Sequence, residues 1–115
     1  MMEIEALAGW LTAALDPDPE QCVRLAPELG AVDETVIYIC RRRPDRPGEV
    51  VHTRLSLRGG ALRPRAFRYS GGSCRGLPDI LERGNFEFNH PNMLEDLLDY
   101  LESLGWAIRR WGLPE

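Results

Sequence analysis

The chain reads as an α+β protein: a small antiparallel sheet of three to four strands, with an N-terminal and a C-terminal helix packed on one face, in the order α-β-β-β-α-β. Three observations predict this. Apolar residues recur at helical spacing in residues 2–15 and again in 91–104, while the period changes to two from Thr35 to Tyr69. Between two alternating runs stands Gly59-Gly60, the signature of a two-residue hairpin turn. With 115 residues and 43% hydrophobic content, the chain fits one domain, residues 1–115, built on one core.

The first helix is expected over residues 2–15, where Ile4, Leu7, Ala8, Leu11 and Leu15 form one stripe. Asp16-Pro17-Asp18-Pro19 ends it, because Pro17 cannot continue the hydrogen-bond ladder and disfavours helical geometry at Asp16. Asp18 as N-cap and Pro19 at the first helical position then suggest a short second helix over 19–26, with a strand through Cys22–Leu25 as the competing reading. Thr35–Arg42 carries apolar residues on both parities (Val36, Tyr38, Cys40 against Ile37, Ile39), which predicts a central strand buried on two faces.

Val50–Arg58 and Ala61–Tyr69 form the hairpin. A two-residue turn sets Arg58 opposite Ala61 and thereby aligns every later pair. One face then carries Leu57 with Leu62, Leu55 with Pro64, Thr53 with Ala66 and Val51 with Arg68; this is the expected core face. The other carries Arg58, Ser56 with Arg63, Arg54 with Arg65, His52 with Phe67, and Val50 with Tyr69. Pro64 lacks a ladder donor, which places its strand at the sheet edge. Ser70–Gly76 reads as a flexible loop, and residues 78–83 as a helical turn opened by Pro78 and closed by Gly84. In the last helix Asn89 or His90 caps, Pro91 opens, Leu94, Leu97, Leu98, Leu101 and Leu104 form the buried stripe, and Gly105 is the C′ residue. Trp106–Trp111 alternates and suggests a final short strand.

The net charge of −4 hides a segmental pattern. Residues 1–34 hold eight carboxylates against one arginine, residues 35–78 ten arginines against two carboxylates, and residues 79–115 eight carboxylates against three arginines. All 14 basic residues are arginine. A basic centre between acidic flanks hints at an anionic partner, or at acidic helices flanking a basic sheet within one molecule. The longest apolar run, Val36–Cys40, is far short of the roughly 20 residues of a membrane span. Met1–Glu5 has neither the basic segment nor the apolar stretch of a secretory signal, so a cytoplasmic protein without a membrane partner is expected. Cys22, Cys40 and Cys74 are widely spaced and form no CxxC pair, which suits free thiols in a reducing compartment. With no HxH, HExxH or CxxC core, neither a metal nor a cofactor is expected.

The strongest functional signal is the polar hairpin face, where Arg54, Arg58, Arg63 and Arg65 surround His52, Phe67 and Tyr69. Guanidinium groups grip phosphate and aromatic rings stack on bases, so this mixture suits nucleic acid or another anion. An Arg54–Arg65 pair directly across two strands is unfavourable unless an anion lies between them. Against that reading, a net negative charge opposes binding to an extended polyanion. The leading expectation is therefore a non-catalytic small binding protein, of the adaptor, chaperone, immunity or inhibitor kind, that covers a surface of another protein. The nucleic-acid or anion-binding module is the alternative. A cysteine-dependent enzyme comes third, with Cys74 beside Arg75 as nucleophile and His52 or His90 as base. Trp111, near the C-terminus, is a further contact candidate, and a homodimer through the Pro64 edge or Trp111 is also compatible.

Overall fold

A computed structural model of the chain describes residues 2–15, 21–42, 46, 48–77 and 85–113. Helix α1 (Ile4–Ala14) follows the expected stripe, burying Leu7, Trp10, Leu11 and Ala14. The sheet contains β1 (Gln21–Leu25), β2 (Thr35–Arg42), β3 (Glu49–Arg58), β4 (Ala61–Ser70), β5 (Ser73–Gly76) and β6 (Phe86–Glu87), and helix α2 (Met93–Ser103) follows it. Neighbouring strands run antiparallel in the spatial order β1-β2-β3-β4-β5, with β6 beside the other end of β4. The architecture is α+β with helices at both ends of the chain, as expected, but the sheet is larger than three to four strands.

The β3–β4 register is the one the turn dictates: Arg58 faces Ala61, Leu55 faces Pro64, Arg54 faces Arg65 and His52 faces Phe67. Gly59 (φ 59°) and Gly60 (φ 77°) both occupy the left-handed region that an I′-type turn requires. The same geometry recurs at Gly71 (φ 56°) and Gly72 (φ 84°), so the expected loop over Ser70–Gly76 is instead a second hairpin carrying β5.

Three further expectations are corrected. The short helix over 19–26 is not formed: the described part, Gln21–Leu25, is a strand paired with β2, and Pro27–Leu29 makes one 3₁₀ turn. Pairing of Gln21–Leu25 with β2 decides for the competing strand reading over Cys22–Leu25; Asp18 and Pro19 lie outside the described residues. The strand containing Pro64 is not the outermost one, since β5 and β6 flank its two ends. Pro64 lies between the stretches that β5 and β6 pair, where no described strand needs its missing donor. Finally, Trp106–Trp111 joins no sheet: Ile108 bridges Leu15, and the Arg109 amide donates to the Ala14 carbonyl at 2.6 Å. The helical turn expected over 78–83 lies outside the described residues.

α2 starts later than expected. Asn92 is its N-cap position and makes no side-chain cap bond; the His90 Nδ1 accepts from the Asn92 amide at 3.1 Å. Asn89 (φ 67°) exchanges two hydrogen bonds with the Met2 backbone, tying the start of the chain to the approach to α2. At the other end the Gly105 amide donates to Glu102 and the Trp106 amide to Leu101, closing the helix as its C′ glycine implies.

Both helices contribute to one core with Ile37, Ile39, Val51, Leu55 and Leu62 from the sheet. Leu97, Leu98 and Leu101 are buried in it, as their spacing predicts, joined by Met93, Tyr100 and Trp106. Thr53 is fully buried on this face and its hydroxyl has no hydrogen-bond partner among the described residues. No described helix is long and apolar enough to cross a membrane.

Candidate functional site

Alternation along each strand sends every second side chain to the face away from the helices. Among the described residues, one end of that face is covered. There the segment after β1 folds over Val36, which is fully buried, and Ser56, and the Ala26 amide donates to the Val36 carbonyl at 2.7 Å. Gly30 makes this close packing possible: a Cβ at its position would lie 2.7 Å from the Glu34 carbonyl oxygen and 3.2 Å from Val36 Cγ2.

Beyond that cover the sheet opens into a concavity of about 450 Å³ lined by Arg24, Leu29, Tyr38, His52, Arg54, Phe67 and Cys74. Its floor is a run of rings across three strands. Tyr38 and His52 have centroids 5.6 Å apart, and His52 stacks on Phe67 at 5.1 Å with 21° between planes. The guanidinium of Arg24 stands 5.5 Å over Tyr38. Burial pushes the His52 pKa below its ordinary 6.5, so the imidazole is neutral at pH 7. Burial also raises the Tyr38 hydroxyl, with a contribution from its hydrogen bond to Cys40, so it is a neutral donor and acceptor.

The charges at the centre of the face are answered from within the chain. Arg54 Nη2 lies 2.7 Å from Glu34 Oε1, and that contact holds the Glu34 carboxyl below its usual range. Arg24 pairs with Glu28, whose carboxyl is lowered first by its own backbone amide and then by Arg24. Glu34 is thus an intramolecular anion beside the Arg54–Arg65 cross-strand pair. Arg63 and Arg65 are exposed and make no ion pair with a described residue, while the exposed Arg58 interacts with Glu34 only at longer range, so the three form a basic rim.

Of the candidate residues read from the sequence, His52, Arg54 and Phe67 line the concavity, while Arg58, Arg63, Arg65 and the 44%-exposed Tyr69 share its face. Trp111 is apart from them. It is 73% exposed, with Arg109 stacked 4.6 Å over its ring, on a segment that packs against the ends of α1 and α2. Cys74 reaches the same concavity as His52, whereas His90 belongs to the turn before α2. Sequence reasoning missed Arg24, Leu29, Tyr38 and the two glutamates. Tyr38 was within reach, since it stands opposite Arg54 on β2, but Arg24 and Leu29 depended on recognising β1. Among the described residues no group of three or more His, Cys, Asp or Glu side chains could hold a metal ion. The chain matches no family model, no curated protein and no solved structure.

Proposed function

We propose that this chain is a non-catalytic binding protein that covers part of a partner protein with the helix-free face of its sheet. One observation carries the reading: the Tyr38–His52–Phe67 floor is flanked by arginines whose charge Glu28 and Glu34 already balance. Such a surface offers stacking and apolar contact at its centre and positive charge only at the rim. Aromatic and arginine anchors within a water-excluding surround are what protein interfaces use, whereas a polyanion track needs uncompensated charge along its length. The partner this implies places an apolar or aromatic side chain over the floor and carboxylates opposite Arg58, Arg63 and Arg65. The three free thiols suit a cytoplasmic setting for this encounter.

Capture from a lysate of the native host, with and without nuclease, tests the reading. The immobilised chain should retain a protein partner after nuclease digestion, and Tyr38→Ala with Phe67→Ala should release it while Trp111→Ala does not. Capture that nuclease abolishes, or that the paired substitution leaves intact, contradicts the proposal. A second reading is favoured by the exposed Arg63, Arg65 and Tyr69 side by side on β4: a short anionic segment, such as single-stranded nucleic acid, held at the rim.

A further inference from the structure

We propose that Cys22 and Cys40 form a dithiol pair that closes to an intrachain disulfide when the protein meets a small-molecule disulfide oxidant. The inference is independent of the partner-binding reading and rests on strand register. Cys22 in β1 stands directly opposite Cys40 in β2, and both side chains point to the helix-free face. The Ala26 amide donates straight across to Val36, so the pairs at even steps from it, including Cys22 with Cys40, exchange backbone hydrogen bonds. Such pairs have Cα atoms roughly 5.5 Å apart, inside the range that a disulfide spans. Each thiol also feels the other, since Cys40 is among the causes that raise the Cys22 pKa. Cys22 is exposed on an outermost strand of the described sheet and Cys40 is half-buried behind it, an arrangement that assigns the first attack to Cys22.

The exchange proceeds in two balanced steps. The Cys22 thiolate attacks one sulfur of the oxidant, forming a mixed disulfide and releasing one thiolate of the reagent. Cys40 then gives up its proton, and its sulfur attacks Cys22 Sγ, displacing the second reagent thiolate. The protein loses two hydrogens and two electrons, and the oxidant becomes two thiols. Burial and the neighbouring Cys40 hold the Cys22 thiol above its ordinary pKa, so closure should be slow at neutral pH and accelerate as pH rises. Because the Cβ atoms of a cross-strand pair must draw together to make the bond, the closed form should be readily reopened by dithiothreitol. Cys74 lies on β5, three strands away from β2, and has no part in the step.

The test is oxidation of the whole chain by oxidised glutathione, followed by thiol counting and non-reducing peptide mapping. The wild-type chain should fall from three reactive thiols to one, lose two hydrogens in intact mass, and yield one cross-linked pair containing residues 22 and 40. Cys74→Ala should form the same bond. Cys22→Ser should give no intrachain disulfide, and Cys40→Ser should stop at a glutathione adduct on Cys22. A wild-type product that carries stable glutathione adducts on Cys22, or that joins chains through Cys74 while Cys22 and Cys40 stay reduced, overturns the proposal. Retained far-ultraviolet circular dichroism in each serine variant separates loss of the bond from loss of the fold.

Discussion

The two faces of the sheet are built from the same strands and solve opposite problems. On the helix side, Ile37, Ile39, Val51, Leu55 and Leu62 meet two amphipathic helices, and almost every side chain is sealed from water. On the other side, residues one step along the same strands (Tyr38, His52, Arg54, Phe67) are half-buried and lie under no described helix; the three rings contact one another in a row and Arg54 pairs with Glu34. The first face therefore holds the stability of the fold, and the second contributes little to it.

The largest effect should come from the covered face. Leu98→Ala should cost about 2–5 kcal/mol, because Leu98 is buried between α2 and the rest of the core. A chemical-denaturation curve unchanged by that substitution would detach α2 from the core and erase the contrast. Gly30→Ala should come next, at about 1–3 kcal/mol, since its Cβ would strike the Glu34 backbone and neither can yield without moving the cover over Val36. That variant should also disturb the Arg54–Glu34 contact, so altered binding alongside reduced stability would mark the cover as part of the recognition face. Thr53→Val should act in the opposite sense, raising stability by about 1 kcal/mol, because it removes a fully buried hydroxyl that has no partner among the described residues. Destabilisation there would show that the hydroxyl is satisfied in solution.

A smaller effect should be visible through pH. With its folded-state pKa depressed by burial, His52 binds a proton more readily in the unfolded chain, and so opposes folding once pH falls below about 6.5. Stability should be complete above that value and decline as pH drops toward the folded-state pKa. Glu34 adds a second loss at lower pH, as it is protonated and releases Arg54. His52→Phe should remove the first decline and leave the second; an unchanged profile between about pH 6.5 and 5 would place the histidine in solvent.

Much of the covered face was legible before any coordinates. The leucine stripe of α2, the stripe of α1 and the buried Ile37 and Ile39 of β2 follow from periodicity, and the hairpin register follows from two glycines; the expected burial of β2 on both faces holds only at Val36, since Tyr38 and Cys40 are half-buried on the open face. The open face was legible only in its β3–β4 half. Its other half depends on β1, and Gln21–Leu25 has too few apolar residues to distinguish a strand from a helical turn after Asp18-Pro19. Leaving that segment open between a helix and a strand hid three things at once: the Arg24 wall, the Leu29 edge, and the pairing of Cys22 with Cys40. β5 escaped for a different reason. All four of its residues are exposed, so burial imprints no alternation on them, although Gly71-Gly72 carries the same turn signal as Gly59-Gly60. The final segment, Trp106–Trp111, is extended, but it spends its pairing on Leu15 and Ala14 at the end of α1, which no local pattern announces.

The central claim is that the open face is neutralised from within and reads a protein, not a polyanion. A titration of the chain with a fluorescent single-stranded oligonucleotide across a salt series tests it most directly. With Arg24 and Arg54 committed to Glu28 and Glu34, binding should be negligible at physiological salt. Low salt should reveal at most a weak association, lost when Arg63 and Arg65 are replaced together by glutamine. The contradictory result is a micromolar affinity at physiological salt whose logarithm falls with the logarithm of salt concentration at a slope near −3, about four engaged phosphates at roughly −0.7 each.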